Sequence, residues 1–145
     1  MQGRLTFSVL TESRDGPIGD DWKYWIEAKV FNQGLQGQGK IRVDKHTLKS
    51  GVTQQPPGPP VPVEIPAGDY NNQLKIKLTL EATEVDLFRN DVGKTDIDLC
   101  LDCPKPGEDP CVHETEISVG VVESTSITGE TSIMRLKVRL VLCCG

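Results

Sequence analysis

Apolar and polar residues alternate with a period of two along most of this chain, and no segment shows a sustained helical period. From Leu74 the apolar positions are Leu74, Ile76, Leu78, Leu80 and Ala82, with Lys75, Lys77, Thr79 and Glu81 between them. Met134, Leu136, Val138, Leu140 and Leu142 alternate with Arg135, Lys137 and Arg139, and Leu5, Phe7 and Val9 alternate with Arg4, Thr6 and Ser8. Successive strand side chains point to opposite faces, so each run buries one face and wets the other. Further strands are expected over Lys23–Phe31, Lys40–Leu48, Val61–Ile65, Ile97–Asp102 and Glu116–Val122. Turn-forming stretches separate them: Gln33–Gly39, Ser50–Pro60, Gly68–Asn72, Pro104–Pro110 and Thr125–Ser132. The pattern predicts an all-β, antiparallel two-sheet sandwich of about eight strands. At 145 residues the chain is read as a single domain, 1–145.

Composition narrows the function. Lys and Arg number 16 against 21 Asp and Glu, a net charge of −5 with no basic cluster, which argues against nucleic acid as a partner. No apolar run approaches the roughly 18 residues of a membrane-spanning helix. A phosphate-binding glycine loop, a nucleophile elbow and an HExxH motif are all missing from the sequence, and no enzymatic activity is expected. Cys111 and His113 would share a side of an extended chain but lack a third group to orient them. His46, beside Lys45 and Thr47, is expected to point to solvent.

Acidic residues are concentrated in one window. Between Asp86 and Glu116 there are nine acids and three bases. Crowded carboxylates repel unless a cation or a basic partner neutralises them. Calcium takes six to eight oxygen ligands and tolerates loop geometry, so the expected ligands are Asp86, Asn90, Asp91, Asp96 and Asp98. A solvated acidic turn without metal is the other reading.

The stretch Leu78–Asp102, LTLEATEVDLFRNDVGKTDIDLCLD, resembles part of a C2 domain. Asp91, Gly93 and Asp96 match an Asp-Gly-Asp pattern after an apolar strand in one register. In another, Gly93-Lys94-Thr95-Asp96-Ile97-Asp98 is similar to the D-x-I-D segment of secreted animal modules, including the amino-terminal region of Notch ligands. Ile97 and Asp98 stand where the first register has Pro-Tyr, and Phe88 stands where the second has an Asp. The resemblance implies a β-sandwich that binds calcium, and through it protein or lipid, by loops at one end. A second acidic loop would require Asp15, Asp20 and Asp21 to come alongside in space.

Five cysteines complete the inventory: Cys100, Cys103, Cys111, Cys143 and Cys144. Disulfides in an oxidising, extracellular setting are one reading, with the odd cysteine free or linking two chains as a homodimer. Cys100, Cys103, Cys111 and His113 holding zinc in a cytosolic domain is another. The abrupt end at Cys143-Cys144-Gly145 favours an excised extracellular domain. Candidate partner-binding residues are Trp25, on the wet face of its strand, and two basic rows, Lys75 and Lys77 and Arg135, Lys137 and Arg139. The rows would form one patch for anionic lipid or glycan if their strands were neighbours. Pro56-Pro57-Gly58-Pro59-Pro60 reads as a stiff polyproline connection. The function expected overall is recognition of a protein or lipid partner through a calcium site. The alternative is a structural or assembly domain linked by disulfides, without metal.

Overall fold

A computed structural model of the chain describes residues 2–58, 62–69, 73–87, 89–102, 105, 107–123 and 130–144, without the side chains of Gln2, Asp69 and Cys144. The described residues form nine strands: β1 Gln2–Asp15, β2 Asp21–Phe31, β3 Leu35–Thr47, β4 Thr53–Gln54, β5 Val63–Asp69, β6 Gln73–Glu84, β7 Asp91–Asp102, β8 Cys111–Val122 and β9 Thr131–Cys144. One sheet has the order β4-β1-β9-β8, with β5 on the same edge of β1 as β4. The other has the order β3-β2-β6-β7, and every pairing is antiparallel. The chain stays within a sheet at the hairpins β2–β3, β6–β7 and β8–β9 and at the β4–β5 connection, and changes sheet at β1–β2, β3–β4, β5–β6 and β7–β8. Gln33 and Gly34 have φ of 55° and 113°, which lets three residues close the β2–β3 hairpin.

Alternation sets the core. Leu74, Ile76, Leu78, Leu80 and Ala82 of β6 face Met134, Leu136, Val138, Leu140 and Leu142 of β9, all of them buried, with Phe7, Ile26 and Trp22 among them. Burial of this apolar surface is the main drive for closing the two sheets on each other.

Several strands run further than the sequence pattern suggests. β3 begins at Leu35, β7 at Asp91 and β8 at Cys111. The glycines that read as turns in these stretches lie inside strands. A Cβ on Gly39 would run into Val63 and Ile65 of β5, and one on Gly93 would run into the Gly120 carbonyl and Val121 of β8. Each glycine lets the edge of one sheet approach the edge of the other, which is the close-approach use of glycine in a strand.

Leu136→Ala is expected to cost about 2–5 kcal/mol in chemical denaturation, because it opens a cavity between the sheets. Val112→Ala, exposed on the outer face of β8, is expected to change stability by less than about 0.5 kcal/mol. Gly93→Ala is expected to destabilise despite its higher β propensity, since the β8 backbone leaves no room for the methyl group.

Candidate functional site

Charge gathers at one end of the sandwich. The β1–β2 turn and the β6–β7 connection meet there, joined by the Val85 N–H donating to the Asp21 carbonyl at 2.8 Å. Glu84 and Asp91 lie directly opposite each other at the end of the β6–β7 ladder. Both face inward and are buried, at 5% and 6% exposure. Beside them a cleft of about 310 Å³ is lined by Gly19, Asp20, Asp21, Glu84, Val85, Asp86, Leu87 and Glu123. Two buried carboxyl groups in contact cannot both carry full charge cheaply. Burial pushes the Glu84 carboxyl up to about 7, followed by the charges of Asp86 and Asp91, its hydrogen bond with Asp91, and the charge of Glu123. Near neutral pH the Glu84 carboxyl is therefore partly protonated.

Arg14 is the one buried cation among the described residues, at 1% exposure. Its Nε donates to the Leu48 carbonyl at 2.9 Å and its Nη1 to the Ile18 and Gly16 carbonyls at 2.7 and 3.0 Å. Nη2 donates to Asp20 Oδ1 at 2.8 Å, and the guanidinium lies 5.4 Å from the Trp22 ring centroid. Burial lowers the Arg14 pKa, while Asp20, Glu84 and Asp15 act to raise it. The guanidinium thus holds Asp20 at the acidic end without covering the remaining carboxylates.

Of the residues expected to bind calcium, Asp86, Asn90 and Asp91 lie at this end and Asp96 and Asp98 do not. Residues 91–102 form a regular strand rather than a returning loop. Five residues of strand carry Asp96 about 16 Å from Asp91. Asp96 lies on the outer face of β7, where it accepts from Thr79 Oγ1 at 2.7 Å and pairs with Lys77 at 3.7 Å. The Thr79 hydrogen bond, with Lys77 and Lys94 in support, lowers its pKa against an opposing contribution from desolvation. Asp98 shares that outer face, opposite Lys77 in register. In the β6–β7 connection, Asp86 Oδ1 accepts from the Leu87 N–H at 2.6 Å and Asn90 Oδ1 from the Asp86 N–H at 3.2 Å, so both side chains brace the turn. Among the described residues no three His, Cys, Asp or Glu side chains are gathered tightly enough to hold a metal ion as they stand. The acidic cleft instead recruits Asp20, Asp21, Glu84 and Glu123. The Asp20-Asp21 pair, in a strand–acidic turn–strand segment like that of Asp91, was the visible signal for part of this set.

The three described cysteines do not come together. Cys100 is exposed on β7, Cys111 is half-buried against the core on β8, and Cys143 is half-buried on β9; all three are free thiols. Cys103 and the Cys144 side chain lie outside the described residues, as do Phe88, Pro59 and Pro60.

The two basic rows are on opposite faces, because β6 and β9 belong to different sheets. Arg139 pairs with Glu114 at 2.8 Å, Lys137 with Glu114 at 3.5 Å, and Arg135 with Asp15 at 2.6 Å, so the β9 row is largely neutralised. Trp25 lies on the outer face of the other sheet. Its indole N–H donates to Glu81, and Lys40 and Lys94 stand 4.0 and 5.5 Å from its ring centroid. Side chains of its own sheet pack against it.

No family model and no curated protein matches this chain.

The Glu84 carboxyl rises on folding from its ordinary 4.5 to about 7. The folded state therefore binds more protons than the unfolded state in that interval, and this group's contribution falls as pH rises through it. Glu84→Gln is expected to remove that slope and to raise the melting temperature above that of the unaltered chain at pH about 8. A pH series of thermal melts measures both.

Proposed function

We propose that this chain is a non-enzymatic recognition module, C2-like in kind, whose acidic end takes up calcium and presents an ordered surface to a protein or lipid partner. The observation that supports this is the buried Glu84–Asp91 pair at the mouth of a cleft with Asp20, Asp21, Asp86 and Glu123. That arrangement is costly as carboxylates alone and is relieved by a cation. The donors around the cleft are oxygens, which suits a hard cation such as calcium and not zinc. Asp20, Asp21, Glu84, Asp86 and Asp91 are the residues that would hold it. Bound there, calcium supplies positive charge that offsets the carboxylates and joins the β1–β2 turn to the β6–β7 connection.

The surroundings suit recognition. Leu87 stands 92% exposed beside the cleft, an apolar contact point next to a charged one. The two-sheet antiparallel sandwich is compatible with a C2-like module, and an extracellular setting, where calcium is abundant, belongs to the same reading. The exposed thiol of Cys100 on the edge strand β7 favours a second reading, an assembly domain in which that cysteine links two chains without metal.

Thermal melts in millimolar calcium and in excess chelator separate the two. Calcium at about 100 times its Kd stabilises the folded state by about 2.7 kcal/mol, a rise of several degrees. Asp86→Asn and Asp91→Asn are expected to abolish the rise. Asp96→Asn is expected to keep it, because that residue lies on the outer face. An unchanged melt in calcium, with a reducible dimer on electrophoresis that Cys100→Ser removes, would establish the assembly reading instead.

A further inference from the structure

A third buried carboxyl group, Glu12, lies in the seam between the sheets, apart from the Glu84–Asp91 pair. Its side chain is fully buried, and it points inward from β1. Three side chains converge on it. Tyr24 of β2 donates its hydroxyl to Oε1 at 2.8 Å, Gln54 of β4 donates to Oε2 at 2.9 Å, and His46 Nε2 lies 2.5 Å from Oε2. Burial, then the Glu12 charge, push the Tyr24 phenol well above its usual range, so it remains a donor. His46 is therefore not turned to solvent, as its flanking residues suggest, but is 12% exposed at the side chain.

The other ring nitrogen decides the chemistry. His46 Nδ1 lies 2.8 Å from the Asp44 carbonyl, which can only accept. Both ring nitrogens thus face acceptors, and a neutral imidazole has one donor and one acceptor nitrogen. In a neutral ring one of the two contacts would set lone pair against lone pair. With Tyr24 and Gln54 already donating to the two Glu12 oxygens, the geometry is met in full by a ring that carries a proton on each nitrogen.

We propose that the Glu12–His46 pair is a proton-dependent latch between the sheets. With the imidazolium formed, β1 of one sheet is fastened to β3 of the other, and the two-residue strand β4 is fastened to both, since Gln54 also donates to the Thr47 carbonyl at 3.1 Å. With the proton lost, the ring keeps a donor for only one of its two acceptors and its contact with Glu12 is no longer an ion pair, so the seam is weakened. Immediately beside it is an apolar cleft of about 370 Å³ between Ser8–Leu10 of β1 and Ile41–Val43 of β3, roofed by Gln55, Pro56, Pro57 and Gly58. The groups facing the pair are Tyr24 from β2, the Asp44 carbonyl from β3 and Gln54 from β4. Arg14, two residues along β1, directs its guanidinium to Leu48 and the β1–β2 turn instead.

Nitrogen-15 NMR of the full chain reads the latch without altering it. The chain has two histidines, so the His46 ring is assigned by its loss in His46→Gln. The expected result is protons on both His46 nitrogens while Glu12 is ionised. Amide exchange at Thr53 and Gln54 should speed up by more than its intrinsic pH trend once the second ring proton is lost. In His46→Gln, which keeps a donor but cannot titrate, exchange should follow only the intrinsic pH trend. A single protonated nitrogen on His46 in the folded chain at pH about 6, or the same pH dependence at Gln54 in His46→Gln as in the unaltered chain, would overturn the proposal. The NMR result does not depend on the stability of the variant.

Discussion

A buried guanidinium closes one end of this sandwich. Arg14 reaches from β1 to carbonyls of the β1–β2 turn, to Leu48 beyond β3 and to the Ser132 hydroxyl on β9. Burying a charge is tolerable only where its hydrogen bonds are met, and Arg14 meets its own with peptide carbonyls that would otherwise be orphaned. The turn carrying Asp20 and Asp21 is fixed by this contact. The Arg14 contacts thus hold it beside Glu84 and Asp91.

That geometry explains how one molecule sustains three charge environments. The outer face of the β9 sheet is close to balanced, because Glu114 and Asp15 meet Arg139, Lys137 and Arg135. The outer face of the other sheet mixes Lys77–Asp96 with the lysines over Trp25. Among the described residues, carboxyl groups face one another in burial only at the acidic end, and there burial and the neighbouring charges raise the Glu84 pKa. The Glu12 carboxylate, equally buried, is instead surrounded by donors. The two sites show that burial alone does not decide a carboxylate's fate; its neighbours do.

Much of the scaffold was legible in the sequence because a period of two leaves little freedom. Leu74–Ala82 and Met134–Leu142 lie in the two central strands they suggested, with the expected faces inward. The start of β7 was not legible, because Gly93 carries the same letter whether it forms a turn or admits a neighbouring backbone. That ambiguity displaced Asp96 and Asp98 into the expected calcium set. Glu84 was hidden for a related reason. It closes an alternating strand and looks like a polar end residue, whereas its parity places it inside, opposite Asp91. Asp20 and Asp21 join the cleft only through a contact between distant turns. The inward turn of His46 depends on the register shift between β2 and β3 around Trp22 and Tyr24, which periodicity alone does not show.

Hydrogen–deuterium exchange of the whole chain, with calcium and with chelator, tests the central claim about the acidic end most directly. Calcium should slow exchange in the β1–β2 turn, residues 16–21, and across residues 84–91, while residues 94–102 on the outer part of β7 remain unchanged. Exchange that is indifferent to calcium at both turns, or protection centred on residues 94–102, would contradict the account.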